Sequence, residues 1–155
     1  MLKLEPIEFL FRALPESFLF ILAIYSFSKT KINKNRYITS SIICGLAAFL
    51  IRMLPISYGV HTILDMGVAM LLGVIIDKVD VEKAIKSMLI VVIIEFIFEG
   101  VNILIIQNIF KADTNEVFSN PVLKTLYGIP SLIMLGIVIG GYYIIKWKKG
   151  ELINV

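Results

Sequence analysis

Charge is scarce in this chain, and cysteine and histidine are almost missing. Only 17% of the 155 residues are charged, against about 25% in an ordinary soluble domain. Cys44 is the single cysteine, so no internal disulfide can form. It sits beside Gly45 in an apolar run and reads as a packed small residue. His61 is the single histidine and lies in a different apolar run from Cys44, so no cysteine–histidine pair is signalled. No Gly-rich phosphate loop appears. Ser17, Ser57 and Ser131 are scattered without a nucleophile motif. Alternation of the strand kind is missing as well. An enzyme is therefore not expected. An intramembrane hydrolase using Glu95 and Glu99 is the form of catalysis left open. Two acids on one helix stripe are a poor substitute for two acids facing one another across a cleft.

What is abundant is apolar surface, 58% of residues, with a mean hydropathy of +0.89. A helix needs about 20 apolar residues to cross a bilayer core. Five stretches qualify or nearly qualify: Ile7 to Phe27, Tyr37 to Met53, Val60 to Ile76, Ala84 to Ile106 and Leu126 to Ile145. The second is short and the third contains Asp65. The first opens with Glu8 and is interrupted by Arg12 and Glu16, so it lacks a clean signal core and is read as a retained span. The junctions carry Asn33 and Asn35, then Pro55 and Gly59, then the charged run Asp77 to Glu82, then Asn120-Pro121. The expected fold is all-α, one polytopic membrane domain over residues 1–155, a bundle of five transmembrane helices.

Orientation follows from the basic residues. Lys29, Lys31, Lys34, Arg36, Lys78, Lys83, Lys86, Lys146, Lys148 and Lys149 fall on one side; Lys3, Arg12, Arg52, Lys111 and Lys124 fall on the other. The enriched side should face the cytoplasm, which puts the N-terminus outside, the C-terminus inside and the chain in the cell membrane as a multi-pass protein. Tyr142, Tyr143 and Trp147 sit where interfacial aromatics belong. The basic runs are a topology signal and not a nucleic-acid footprint.

Ionisable groups in hydrocarbon are unfavourable by about 2.5–3.5 kcal/mol or more and are functional candidates by default. Most of them here fall in the outer half of the expected bundle. Arg12 and Glu16 are one turn apart and can pair on one face. Arg52 closes the second span. His61 and Asp65 share a face of the third. Glu95, Glu99 and Asn102 form one stripe on the fourth, by spacings of four and three. Tyr58 and Tyr127 flank outer junctions, each followed by glycine. These ten residues are the candidate ligand-binding set. Set against Glu16, Asp65, Glu95 and Glu99, the two arginines leave a formal excess of two negative charges. Protonation of some carboxyls resolves it without a partner. A divalent metal on His61, Asp65, Glu95 and Glu99 is a second resolution, and a cationic or amine-bearing ligand a third. The bland alternative is that Arg12, Arg52 and Lys124 only neutralise Glu16, Asp65 and Glu99 across helices. No resident cofactor is expected.

Two stretches carry a family resemblance. Ile51-Arg52-Met53-Leu54-Pro55-Ile56-Ser57-Tyr58-Gly59-Val60-His61-Thr62 and Asn120-Pro121-Val122-Leu123-Lys124-Thr125-Leu126-Tyr127-Gly128-Ile129-Pro130 resemble the multi-span N-terminal sensor modules of clostridial-type histidine kinases. The resemblance covers most of the chain and implies no catalytic residue. It implies a membrane part that receives a signal, here without the kinase region: a stand-alone sensor module, or one acting through a separate cytoplasmic signalling partner. The expected partners are the lipid bilayer, a small-molecule, peptide or cationic ligand from outside, and a second copy packed through Gly136, Gly140 and Gly141. The competing expectation is a small transport component that uses the carboxylates as proton or cation sites.

Overall fold

A computed structural model describes residues 6–54, 58–111, 113, 117 and 119–155, with Tyr58 and Gly59 as backbone only. Among these residues the chain is helical, and its single extended pairing is an isolated bridge between Thr30 and Ile153. A short helical turn α1 (Pro6–Glu8) runs through a π-helical turn (Phe9–Ala13) into α2 (Leu14–Phe27). Then come α3 (Lys34–Arg52), α4 (Tyr58–Ile75), α5 (Val81–Asn108) and α6 (Pro121–Lys148). The first expected stretch is divided among α1, the π-helical turn and α2; the other four coincide with α3 to α6 to within a few residues at either end. Asn33 caps α3 by accepting from the Arg36 amide, and Asn120 caps α6 by accepting from Val122 and Leu123, with Pro121 at the first helical position. Pro55, expected to break the second junction, lies outside the described residues.

Helix α2 is the centre of the bundle: it packs against α3, α4, α5 and α6. Phe20, Ile21, Ala23, Ile24 and Tyr25 are fully or nearly fully buried on it. Small residues on the surrounding helices bring the axes close. A Cβ on Gly73 of α4 would stand 2.9 Å from Ile24 Cδ1, so a larger residue there would push α4 off α2.

The outward faces are apolar, the reverse of a helix packed on a soluble core. Ile38, Ile42, Leu46 and Leu50 recur every four residues along the exposed face of α3. Leu89, Ile93, Phe96, Ile97 and Leu104 do the same on α5, as do Ile133, Ile137 and Ile144 on α6. Helices α5 and α6, 28 residues each, are long and apolar enough to cross a membrane, whereas Val60–Ile75 is apolar but shorter.

The end of the bundle that holds the α2–α3 and α4–α5 junctions is tied by polar groups. Tyr25 Oη donates to Asp77 Oδ1 at 2.7 Å, and Ser40 Oγ donates to the same oxygen at 3.1 Å. Asp77 is 1% exposed, although it opens the charged run Asp77 to Glu82. The amide of Lys31 donates to Ile153 O and that of Ile153 to Lys29 O, both at 2.8 Å, so the C-terminal residues lie along the α2–α3 junction. Glu151 bridges Lys146 at 2.7 Å and Lys29 at 3.0 Å. Hydrogen bonds from these two lysines pull its carboxyl down to about 2. The clamp is therefore complete above the ordinary carboxylate range and is lost only as pH falls through about 2.

Replacing Tyr25 by Phe removes the shorter hydrogen bond on a buried carboxylate. The expected loss is about 1–3 kcal/mol of stability, read as a lower midpoint for heat-induced labelling of the buried Cys44 thiol. An unchanged midpoint would mean that Ser40 alone satisfies Asp77.

Candidate functional site

The opposite end of the bundle carries the candidate residues, and a proline sets its geometry. Pro15 has no amide hydrogen and its ring crowds the carbonyl four residues earlier. The turn before it widens in response: the Leu14 amide reaches back to Phe9 O, five residues, in the π-helical register. Arg12 lies in this widened turn, so its side chain leaves the helix at a different angle from that of a regular α-helix. The consequence is a change of partner. Arg12 does not pair with Glu16 on its own helix. Its Nη2 meets Glu99 Oε1 of α5 at 2.7 Å. Gly128 of α6 makes room for the guanidinium, since a Cβ there would stand 3.2 Å from Arg12 Nη1.

Glu16 turns instead to α3. Arg52 Nη2 lies 3.3 Å from Glu16 Oε2, and Arg52 Nε lies 3.8 Å from Asp65 Oδ2 of α4. One guanidinium thus ties three helices. On its other side Glu16 faces the smaller hollow together with Glu95 of α5. A fourth ion pair joins Lys124 Nζ to Glu8 Oε1 at 3.0 Å, between α6 and α1. Both of its side chains are largely buried (14% and 7% exposed).

The ionic groups border two hollows. The smaller, about 10 Å³, is lined by Arg12, Glu16, Glu95, Glu99 and Ser131 with Phe98, Leu132 and Leu135. It has room for about one water. The larger, about 400 Å³, opens between α5, α6 and the π-helical turn. Its polar wall is Arg12, Glu99, Asn102, Lys124, Tyr127, Gly128 and Ser131, and its apolar wall is Ile103, Ile106 and Val117. Asn102 Nδ2 donates to the Tyr127 carbonyl at 2.6 Å, which fixes the α5–α6 crossing at this wall. Tyr127 also sets its ring edge-on to Phe110 at 5.6 Å.

Of the ten candidates, Arg12, Glu99, Asn102 and Tyr127 line the larger hollow, and Glu16 and Glu95 join Arg12 and Glu99 around the smaller one. Arg52 and Asp65 reach the assembly through Glu16. His61 is half-buried and lines neither hollow; its Nδ1 and Asp65 Oδ1 are buried without a hydrogen-bond partner among the described residues. The side chain of Tyr58 lies outside the described residues. Among the described residues no three His, Cys, Asp or Glu side chains are grouped to hold a metal ion. Glu8, Gly128 and Ser131 were not anticipated at the site, nor were the three apolar lining residues. A signal for Glu8 existed, because Glu8, Arg12 and Glu16 step by four along the chain. The bland alternative set Lys124 against Glu16, Asp65 and Glu99; the structure pairs it with Glu8. Arg12 and Arg52 do neutralise carboxylates on other helices. The chain matches no protein-family model, no curated protein and no solved structure.

The two arginines should differ in importance for stability. Arg52→Met strands Glu16 and Asp65, which are 14% and 8% exposed, and should lose on the order of 3–5 kcal/mol. Arg12→Met strands Glu99, which is 39% exposed and can be answered by water, and should lose about 1 kcal/mol. Thermal midpoints of the two variants, read by Cys44 labelling, check the order; the reverse order would contradict this reading of the network.

Proposed function

We propose that this protein is a membrane-embedded sensor module of five spans, N-terminus outside and C-terminus cytoplasmic, that binds a ligand in the hollow between α5, α6 and the Arg12 turn. Support for the membrane setting comes from the outward faces. In the most apolar windows of α5 and α6 only 22% and 28% of the residues are buried. A core helix of a soluble protein would be mostly buried, and so much exposed apolar surface needs a non-aqueous solvent. Support for the orientation comes from the concentration of lysines at the Asp77 end. The hollow then opens toward the outer half of the bilayer.

The observation that carries the ligand reading is the larger hollow itself. Its 400 Å³ lies within the about 300–1,000 Å³ of small-molecule pockets, and it combines an apolar wall with a few convergent polar groups. A ligand there would compete for or reinforce the Arg12–Glu99 and Lys124–Glu8 bridges, and so shift the α1–α2 segment relative to α5 and α6. Helix α2 touches every other long helix and ends at the Tyr25–Asp77–Ser40 cluster and the tail clamp. A displacement at one end therefore has a packed route to the other, where a cytoplasmic signalling partner would read it.

A second reading, a small proton- or cation-coupled transport component, is favoured by one feature. Asp65, Arg52, Glu16, Glu95, Glu99 and Arg12 form a run of ionisable side chains that crosses α4, α3, α2, α5 and the π-helical turn. Proton flux in liposomes separates the two readings, since a sensor carries nothing.

Two experiments test the first reading. In a Cys44→Ser background, Asn120→Cys in intact cells should react with a membrane-impermeant maleimide and Lys34→Cys should not; the opposite pattern would overturn the orientation. Native mass spectrometry from nanodiscs should show small-molecule adducts on the wild type that Ile103→Trp, which fills the hollow, no longer carries. Equal adducts on both, or none on either, would count against the pocket.

A further inference from the structure

We propose that the α2–α3 junction and the end of α6 form one docking corner for anionic phospholipid head groups. This goes beyond the ligand reading and rests only on the membrane setting. Contacts between distant parts of the chain draw the corner together. The Ile32 amide donates to Tyr143 Oη of α6 at 3.1 Å, the Lys31 amide to Ile153 O at 2.8 Å, and Arg36 Nη1 to Val155 O at 3.4 Å. Basic residues from both halves of the sequence thereby share one rim. Glu151, the acid of this corner, is taken up by Lys29 and Lys146. Lys31, Lys34, Lys148 and Lys149 are exposed and have no acidic partner among the described residues. The α4–α5 junction differs, because Lys83 and Lys86 are answered there by Asp80 and Glu82.

A lysine in water needs no partner, so the placement of these four decides the argument. The exposed apolar row of α6, Ile133, Ile137 and Ile144, ends at Trp147, which is 60% exposed, and Lys148 follows directly. An indole at the end of a lipid-facing row marks the head-group level. Ile153 and Val155 are exposed too, beside Lys31 and Arg36. Lysine stems lie along such apolar surface and extend their ammonium groups into the head-group layer, where anionic phosphates collect around basic residues. An acidic protein surface would answer the lysines alone. An anionic lipid answers the lysines with its phosphate and the apolar side chains among them with its acyl chains.

Trp147 is the single tryptophan of the chain and lies in this corner, so it reports on it directly. The protein is placed in bilayers of phosphatidylcholine with a minor fraction of phosphatidylglycerol. Quenching of Trp147 fluorescence is compared when one lipid or the other carries bromine high on its acyl chains. Phosphatidylglycerol should quench as though enriched about tenfold around Trp147 over its bulk fraction. Lys148→Gln/Lys149→Gln and Lys31→Gln/Lys34→Gln change only exposed side chains, and each should lower that enrichment severalfold. Lys83→Gln/Lys86→Gln removes the same formal charge from lysines that are already paired, and should keep it. Quenching by the two lipids in proportion to their bulk fractions would overturn the proposal and leave the lysines to an acidic protein. An equal loss in the Lys83→Gln/Lys86→Gln variant would overturn it as well, because the preference would then belong to the diffuse charge of the whole end. Either outcome leaves the membrane setting standing. No quenching by either lipid would place Trp147 away from the bilayer and bring down that setting with the proposal.

Discussion

The structure depends on one helix with no outward side. Helix α2 is surrounded by α3, α4, α5 and α6, so every polar group it carries must find a partner inside the bundle. It has such groups at both ends and an apolar middle. Glu16 meets Arg52 at one end; Tyr25 meets Asp77 at the other. Burial of Ile21, Ala23 and Ile24 between them holds the helix in place. The polar ends then determine how the neighbours are rotated about it. A buried carboxyl without a partner is more unfavourable than a few ångströms of helix rotation.

The ion pairs illustrate the competition between local and distant partners. Arg12 and Glu16 are one turn apart, a spacing that in a regular exposed helix gives a pair worth about 0.2–0.5 kcal/mol. Both side chains choose other helices. Pro15 changes the register of the preceding turn, and a bridge in a shielded setting outweighs a solvated one. The result is four cross-helix ion pairs at one end of the bundle, an arrangement in which a change at any one pair is felt by several helices.

Much of the architecture was legible from hydropathy and punctuation. The first apolar stretch became the run from α1 through α2, the other four became α3 to α6, and Asn33 and Asn120 became the caps their residue types suggest. The stripe of Glu95, Glu99 and Asn102 also survived, because helical spacing alone places them on one face. The burial of Asp77 was not legible: it belongs to a charged junction in the chain, yet it is buried because the α4–α5 turn folds over Tyr25 and Ser40. The Glu8–Lys124 pair was not legible either, since the two are far apart in the chain until α1 is laid against α6.

Helix content, apolar faces and the scarcity of reactive side chains are properties of short windows of chain, so composition and periodicity were enough to settle them. The partner of each charge, the place of His61 away from the hollows and the burial of Asp77 are properties of helix rotation and neighbour choice. Those depend on groups up to 87 residues apart, as with Arg12 and Glu99, and no local window contains both halves of such a contact.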